Sequence, residues 1–367
     1  MVNNRECGGI MDETGVIERI EFETVKENLQ HPFVTALHEV RYVIAVRVRL
    51  ILKNGLVGLG SATPNDKVTG DTLESMSYVM KNVIKPKIIG LDITNWDCIL
   101  QIIRESIADN SPAKAAFEIA LYDLRAQLFQ MSLSRLLGGT PRNLYTDYTV
   151  SLAPLSEMVE ESCELVKRGF NALKIKLGDH DFEEDVQLIL DIAKVIPNAV
   201  SLRIDINQAW TVSETLSAVD TWTKYNVNID FIEQPVKADN YSGMRQITQR
   251  SKLPVMADES VHTFEDAREL IANHACDLVN IKLMKTGGIS QAERINQLCE
   301  MAGIQCMIGC MIESRESIAA AIAFATAHRN VKYVDLDSVF MSRSKRKGGF
   351  ESEKNMLRVT KKVGLGF

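Results

Sequence analysis

The 367-residue sequence contains no apolar run of the roughly 18 residues that a membrane-spanning helix needs. Residues 1–15 are polar and lack the apolar stretch of a signal peptide, so we expect a disordered extension there. The chain also lacks a basic excess: its formal charge is -6 and its pI is near 5.7, which argues against a nucleic-acid surface. We therefore expect a cytoplasmic protein without membrane or nucleic-acid partners, and leave a homo-oligomer open.

Cysteine is present without a regular pattern. The seven cysteines are odd in number and irregularly spaced, which argues against a disulfide framework and favours a reducing compartment. Cys306 and Cys310 are four residues apart, but no second pair or histidine lies at zinc spacing. We interpret these two residues as buried thiols.

The first part of the chain predicts a small antiparallel sheet followed by helices. Two early segments have the composition of strands, and Asn54-Gly55 predicts a hairpin turn into a third. Of the helices that follow, the longest is predicted to begin with Ser111 as its cap. Since no strand alternates with these helices, we expect residues 16–145 to form an α+β capping domain.

From residue 146 onwards the pattern becomes repetitive. Apolar strands recur about every 24 to 29 residues, with segments of helical spacing between them. Eight such strands predict an α/β fold, a modified (β/α)8 barrel of the TIM type, in residues 146–340. Residues 341–367 are expected to return to the capping domain, with the alternating segment 356–363 as a strand that joins its N-terminal sheet.

Charged side chains lie where the predicted barrel strands end. In barrels of this type the active site lies at the carboxyl ends of the strands. Unpaired charges gathered at one mouth would cost several kcal/mol each, so we interpret them as a functional site. The residues concerned are Lys174, Lys176, Asp205, Glu233, Asp258, Lys282 and Asp335.

Three of these residues predict a metal site. Asp205, Glu233 and Asp258 end three successive strands, and hard oxygen ligands on one side of a mouth suit Mg²⁺. An isolated acid at a strand end more often caps a helix, but three in succession favour a metal. Asn207 and Glu259 follow two of these ligands and are expected to hold them in place.

Two lysines are candidates for acid–base catalysis. Lys176 and Lys282 end the second and sixth barrel strands, on opposite sides of the carboxylates. A lysine acts as a base in its neutral form, and the neighbouring Lys174 ammonium is expected to favour that form of Lys176. One lysine can then remove a proton from a substrate carbon while the other returns one to the opposite face, and the metal stabilises the enediolate between the two steps.

Taken together, these motifs resemble the enolase superfamily in its muconate-lactonizing subgroup. The resemblance extends over nearly the whole chain and implies a Mg²⁺-dependent reaction with lysine bases. It rests on Lys174-Ile-Lys176, Asp205-Ile-Asn207, Glu233-Gln-Pro, Ala257-Asp258-Glu259-Ser260 and Asn280-Ile-Lys282-Leu-Met-Lys285.

A further motif narrows the resemblance. Asp335-Leu-Asp337 at the eighth strand resembles the D-x-D pair with which dipeptide epimerases bind the α-ammonium of the dipeptide. Two carboxylates on one face suit an ammonium. The stretch around Thr149 resembles the first barrel strand of these enzymes, which implies that Thr149 lines the substrate pocket. The resemblance thus implies an epimerase that inverts the α-carbon of the C-terminal residue of a dipeptide.

The sequence predicts the type of reaction more closely than the side chains of the substrate. Family members that act on Ala-Glu carry an arginine that grips the glutamate side chain, and His38 lies at the expected place here. His38 is therefore expected to contact a different side chain, and Ala-Glu to be a poor substrate. Arg41 is the alternative donor.

Several other functions remain open from the sequence. Within the subgroup the alternatives are an N-acylamino-acid racemase, an o-succinylbenzoate synthase or a cycloisomerase. Their substrates have no free ammonium, so Asp335 and Asp337 favour the dipeptide. A lyase that forms a Schiff base through Lys282, and a barrel that binds a ligand without catalysis, are the alternatives of other classes.

Overall fold

The computed structural model describes residues 15–35 and 39–367. The chain forms an N-terminal three-stranded antiparallel sheet, an eight-stranded parallel sheet and a second three-stranded sheet near the C-terminus. The eight-stranded sheet has its strands in chain order, as expected when each strand is followed by a helical crossover. This confirms the predicted fold class, a barrel with an α+β capping sheet. The predicted extension, residues 1–14 in particular, and His38 lie outside the described residues.

The N-terminal sheet is built on a long hairpin. Its strands are β1 (Ile17–Val34), β2 (Glu39–Leu52) and β3 (Val57–Ala62). Gly55 forms the predicted turn between β2 and β3 with a φ of 86°, a conformation that favours glycine. The strands β1 and β2 are 18 and 14 residues long, and the end of their hairpin far from β3 reaches the barrel mouth.

Helices cover this sheet, and the longest approaches it closely. They are α1 (Leu73–Tyr78), a π-helical segment (Val79–Ile84), α2 (Lys85–Ile88), α3 (Trp96–Arg104), α4 (Ser111–Leu128) and α5 (Leu133–Leu136). A side chain at Gly60 would lie 2.0 Å from the carbonyl oxygen of Ala116, so only glycine permits this packing. The prediction that Ser111 caps α4 is wrong, because Asn110 occupies the cap position in a left-handed conformation.

The barrel strands are short and the helices between them longer. β4 (Leu144–Tyr145) precedes the barrel. Its strands are β5 (Tyr148–Val150), β6 (Ala172–Lys176), β7 (Ser201–Asp205), β8 (Ile229–Glu233), β9 (Val255–Ala257), β10 (Leu278–Ile281), β11 (Gln305–Gly309) and β12 (Val331–Asp335). The helices are α6 (Leu155–Lys167), α7 (Phe182–Val195), α8 (Val212–Lys224), α9 (Tyr241–Arg250), α10 (Phe264–Ala272), α11 (Leu283–Thr286), α12 (Ile289–Met301), α13 (Arg315–Ala327) and α14 (Ser338–Met341).

Side chains complete the seam between the first and last barrel strands. Only one backbone hydrogen bond is described there, from the Asp147 amide to the Val334 carbonyl at 3.2 Å. The Leu336 amide donates instead to the Thr146 hydroxyl at 2.9 Å. Buried amides need an acceptor, so side chains near the ends of β5 and β12 take over where the ladder stops. This seam lies at one side of the charged mouth.

The C-terminal segment does not join the N-terminal sheet. Strand β14 (Met356–Val359) pairs with β13 (Phe350–Glu353) and with β4, so the prediction of a strand in the capping sheet is wrong. The pairing is antiparallel and joins the tail to the residues that enter the barrel. The last residues nevertheless reach the helices of the N-terminal part, because the Leu365 amide donates to Asp123 on α4 at 2.7 Å.

The structure bears on two further expectations. Within the described parts of the chain, none of the helices has the length and apolar character needed to cross a bilayer. Cys98 is disulfide-bonded, so the expectation of reduced thiols is wrong at this position. Cys306 is free and buried and Cys310 is free and partly buried, so the interpretation as buried thiols holds fully for Cys306.

Candidate active site

A cavity of about 410 Å³ opens between the barrel mouth and the N-terminal hairpin. The hairpin end and the loop after β3 form its upper wall, and the strand ends form its floor. The predicted site residues that line it are Thr149, Lys174, Lys176, Asn207, Asp258, Glu259, Lys282, Asp335 and Asp337. Asp205 and Glu233 do not line it and are fully buried. The structure therefore gathers every described residue of the predicted site at this mouth.

The carboxylates lie together because parallel strands end at one edge. Asp205 and Glu233 are paired residues at the ends of β7 and β8, and Asp258 directly follows β9. Burial alone would raise the pKa of Asp205, but Lys174 and Lys176 lower it to about 2. Burial and then the charge of Asp205 raise the pKa of Glu233 to about 8. The two neighbouring carboxyl groups therefore differ in how strongly their ionised forms are stabilised.

Lys174 connects three carboxylates. Its ammonium lies 3.0 Å from Asp205 Oδ2 and 2.8 Å from both Glu233 Oε2 and Asp335 Oδ2. Burial opposes the charged form, but the nearby carboxylates raise the pKa of Lys174 well above its usual value. Lys176 donates to the same oxygen of Asp205 at 2.6 Å, so the two lysines share a counter-charge. The role of Lys174 in favouring neutral Lys176 stays a prediction.

Two lysines hold the opposite carboxylate. Lys282 donates to Asp258 Oδ2 at 2.7 Å. Burial alone would lower the pKa of Lys282, but the negative charge of Asp258 outweighs burial, so the pKa is raised. Lys285 donates to the other oxygen and to the backbone carbonyl of Asp258, and to the Asn280 carbonyl. Both oxygens of Asp258 are thus bound by ammonium groups.

Asn280 and Lys285 were not predicted as site residues. The Asn280 amide donates to Glu233 Oε1 at 2.8 Å, and a side chain at Gly309 would collide with it. The signal was available, since both residues belong to the motif around Lys282 that carries the family resemblance. Spacing alone does not show that their side chains contact the predicted metal ligands Glu233 and Asp258.

Asn207 and Glu259 connect two of the predicted metal ligands. The side-chain amide of Asn207 donates to Glu259 Oε1 at 3.1 Å, and the backbone amide of Asn207 donates to Asp205 Oδ1 at 3.0 Å. Its oxygen accepts from Lys176 at 3.0 Å. Burial, followed by the charge of Asp258, raises the pKa of Glu259 to about 7. These contacts support the predicted positioning role, which stays a prediction.

The chemistry of the donor set fits a divalent metal. Asp205, Glu233 and Asp258 offer anionic oxygens at the ends of three adjacent strands, and all three side chains are buried. Oxygen atoms from these three carboxylates do not all lie within 4.8 Å of one another. Lysine ammonium groups bind them instead, so these carboxylates are arranged to surround positive charge.

A second group of acids lies at the seam. Asp147, Asp335 and Asp337 are buried, and one oxygen from each lies within 4.8 Å of the others. Asp335 ends β12 as predicted, whereas Asp337 lies beyond the strand at the start of α14. Burial, followed by the charge of Asp335, raises the pKa of Asp337 to about 7. Asp147 was not predicted as a site residue. It lies directly before β5, whereas the predicted site residues lie at the carboxyl ends of strands.

The remaining predicted contacts have different outcomes. The Thr149 amide donates to Asp337 Oδ2 at 2.7 Å, so Thr149 both lines the cavity and holds this acid. His38 lies outside the described residues, and its role stays a prediction. Arg41 lies on the cavity wall, where its guanidinium is paired with Glu39 at 2.8 Å.

Comparison with known proteins agrees with this geometry. Residues 19–138 match the family description "Mandelate racemase / muconate lactonizing enzyme, N-terminal domain", and residues 157–367 match "Enolase C-terminal domain-like". The L-Ala-D/L-Glu epimerase of Clostridium acetobutylicum is 41% identical over 96% of this chain and 98% of its own length.

Two solved structures are similar over nearly the whole chain. One is a substrate-liganded complex of the L-Ala-D/L-Glu epimerase from Bacillus subtilis, with 39% identity, a TM-score of 0.94, and coverage of 96% of this chain and 98% of the other. The other is the dipeptide epimerase from Enterococcus faecalis complexed with Mg and L-Leu-L-Tyr. It has 36% identity, a TM-score of 0.92 and coverage of 96% and 99%.

Proposed function

The chain belongs to the family of enolase-like, mandelate racemase and muconate lactonizing enzymes, and we propose that within it the chain is a Mg²⁺-dependent dipeptide epimerase. It inverts the α-carbon of the C-terminal residue of a dipeptide by a two-base 1,1-proton transfer. The observation that carries this proposal is the placement of two lysines across one cavity, with an acidic pair at its side. Relatives named as dipeptide epimerases support the choice of substrate class.

The two lysines are placed for proton transfer at opposite faces of a carbon. Lys176 ends β6 and Lys282 follows β10, and these strands are four apart in a barrel of eight. Strands with this separation lie across the barrel from each other, and both side chains line the cavity. One lysine removes the α-proton and the other delivers a proton from the opposite side, which inverts the centre.

The metal would be held by Asp205, Glu233 and Asp258. When bound, Mg²⁺ would hold the substrate carboxylate and offset the negative charge that develops there during proton removal. This chain supplies Asn280, which fixes one oxygen of Glu233, and Lys285, which fixes one oxygen of Asp258. The related Enterococcus faecalis structure contains Mg together with a dipeptide.

The acidic pair at the seam is the proposed site for the dipeptide ammonium. Asp335 and Asp337 line the cavity at the side where β12 ends, and Thr149 holds Asp337 in place. Charge-assisted bonds from one ammonium to two carboxylates orient the N-terminal residue of the substrate. A substrate without a free ammonium, as in an acylamino-acid racemase, would leave these acids without that partner.

The cavity walls favour side chains that are not acidic. On the side of the N-terminal hairpin, the charged lining residues of the described chain are Glu39, Arg41 and Asp66. Arg41 is already paired with Glu39, so it is a weak substitute for an arginine that grips a glutamate. The contribution of His38 is proposed from the sequence alone, and cytoplasmic location likewise stays a prediction.

One experiment tests the proposed function directly. A library of L,L-dipeptides is incubated with the enzyme and Mg²⁺ in deuterated water, and the mass of each dipeptide is followed. We expect a gain of one deuterium in a subset of dipeptides and a matching appearance of the L,D-form. Trapping of a substrate adduct by borohydride, with activity retained in chelator, would support the Schiff-base lyase instead.

A further inference from the structure

The seam carries a buried acid for which the proposed reaction has no role. Asp147 directly precedes β5, two residues before Thr149, so both side chains point to the barrel interior. Across the seam, Asp335 at the end of β12 and Asp337 just beyond it have the same spacing. We call Asp147, Asp335 and Asp337 the seam cluster. Its three carboxyl groups lie within 4.8 Å of one another, and all are buried.

Arg203 holds Asp147 from two strands away in the barrel sheet. Its guanidinium extends from β7 and donates to Asp147 Oδ2 at 2.7 Å and to the Val334 carbonyl at 3.0 Å. It also donates to Asp230 at 3.2 Å, so its charge is shared between two acids. The guanidinium lies 5.1 Å from the centre of the Tyr333 ring. Arg203 therefore fixes one oxygen of Asp147 beneath the cavity without fully neutralising the cluster.

The other oxygen of Asp147 has no partner. Asp147 Oδ1 is buried without a hydrogen bond, and the Asp147 side chain is fully inaccessible. A buried carboxylate oxygen without a donor is destabilising, because it loses its hydration and gains no hydrogen bond in return. A proton on Asp147 would remove that cost, because the hydroxyl could donate to a neighbouring acid of the seam cluster. Burial and then the charge of Asp335 also raise the pKa of Asp147 well above its usual value, against the effect of Arg203.

We propose that Asp147 is a positioning residue for the ammonium subsite. Its carboxyl group, held by Arg203 and carrying a proton, donates a hydrogen bond within the seam cluster and keeps Asp335 and Asp337 as one anionic pair. The substrate ammonium then meets two charges rather than three, in a fixed arrangement. This inference rests on the proposed function, because it assigns the residue that prepares the subsite for a free ammonium.

The test compares two substitutions of Asp147 with two substrates. Asp147→Asn keeps the shape and a donor, whereas Asp147→Ala removes both. We expect Asp147→Ala to raise KM about tenfold for an unmodified dipeptide, with kcat changed less than about threefold. Asp147→Asn should stay within about twofold of the wild type. For the N-acetylated dipeptide, which lacks the ammonium, KM or the inhibition constant should not change in either variant.

A matched control separates positioning from stability. Thr146→Val removes the acceptor of the Leu336 amide at the same seam but leaves the seam cluster intact. It should lower the melting temperature without changing the ratio between the two substrates. If Asp147→Ala does not fold, Asp147→Asn still decides, because the proposal requires near wild-type KM for the unmodified dipeptide.

Two results would overturn the proposal. One is an equal effect of Asp147→Ala on the unmodified and the acetylated dipeptide. The other is a rise in KM above about fivefold for Asp147→Asn with the unmodified dipeptide alone, since the amide retains a donor. Either result would overturn the role of Asp147 alone, and the proposed function would still hold if the wild-type enzyme exchanges the α-protons of dipeptides with solvent. A wild-type enzyme that exchanges no α-proton with any dipeptide overturns the proposed function and this inference together.

Discussion

Two halves of the mouth differ in how their charges are matched. In the lysine half, formed by β6 to β10, Lys174, Lys176, Lys282 and Lys285 surround the carboxylates of Asp205, Glu233 and Asp258. In the seam half, formed by β5 and β12, the seam cluster has only Arg203 and a share of Lys174 as described cationic partners. The lysine half thus fits the proposed metal site and proton transfer, and the seam half has an excess of negative charge that fits the proposed substrate ammonium.

The largest effect is expected from removing one base of the lysine half. Lys282→Ala should lower epimerisation by at least about a thousandfold in both directions, because each stereoisomer needs both lysines. It should still permit α-proton exchange of the one stereoisomer whose proton faces Lys176, and Lys176→Ala should do the same for the other.

Exchange measured by NMR in deuterated water distinguishes the two lysines. The matched control is Lys252→Ala, which removes an exposed lysine paired with Asp220 on the surface. Its activity should equal that of the wild type. Interconversion at a near wild-type rate in either single variant of the two bases would contradict the two-base mechanism.

A second prediction tests the metal in the same half. Glu233→Gln should weaken Mg²⁺ binding at least tenfold, measured by calorimetry, and lower turnover in parallel, since it replaces an anionic ligand by a neutral one. Exposed Glu105→Gln serves as the control for the loss of one negative charge. Full activity of Glu233→Gln in the presence of chelator would remove the metal assignment.

The third prediction moves to the seam half. Asp335→Asn or Asp337→Asn should raise KM for unmodified dipeptides by about 10- to 100-fold, because a bond to a charged group contributes about 1.5–3 kcal/mol. N-acetylated dipeptides should be affected much less. Steady-state kinetics with both substrate forms gives the comparison. Equal effects on both would favour an acylamino-acid racemase over a dipeptide epimerase.

The fourth prediction concerns the side chain of the substrate. Ala-Glu should have a kcat/KM at least about tenfold below the best dipeptide with a non-acidic C-terminal side chain, because no unpaired arginine is described on the cavity wall. A ranked dipeptide library gives the measurement. Ala-Glu as the best substrate would contradict it, and Arg41→Ala would then test whether that residue is responsible.

The smallest effect is expected from pH. With the pKa of Asp337 raised to about 7, its anionic form is lost below neutral pH. The kcat/KM for unmodified dipeptides should therefore rise about five- to tenfold between pH 6 and pH 7.5, and rise less for N-acetylated ones. Asp337→Asn should remove the difference between the two pH profiles, and an unchanged difference would place the titrating group elsewhere.

The same raised pKa has the opposite sign for stability. The folded protein binds the Asp337 proton more tightly than the unfolded chain, so this contribution to stability is full below about pH 4 and is lost as pH rises towards 7. In the unliganded protein, Asp337→Asn should flatten that part of the stability curve. Thermal melts at several pH values, read as the difference between variant and wild type, give the measurement.

The errors in the sequence-based predictions have a common origin. A serine at a helix start predicts a cap at Ser111, yet Asn110 occupies the cap position with a left-handed backbone that no local pattern indicates. The alternating tail was assigned to the wrong sheet, because an alternating pattern shows that a segment is a strand but not which edge it joins. The disulfide at Cys98 was missed for a related reason, since pairing depends on distance in the fold.

The order of charged residues at strand ends was determined by the sequence itself. A parallel barrel brings all carboxyl ends of its strands to one mouth, so a lysine or acid at each end is sufficient to predict a shared site. What only the tertiary structure decided is which groups touch. Asp147 and Arg203 are 56 residues apart and meet because β7 lies only two strands from β5 in the barrel sheet, within reach of the long Arg203 side chain. Contacts between non-adjacent strands depend on how the closed sheet directs each side chain into the barrel interior, and the spacing along the chain does not contain that information.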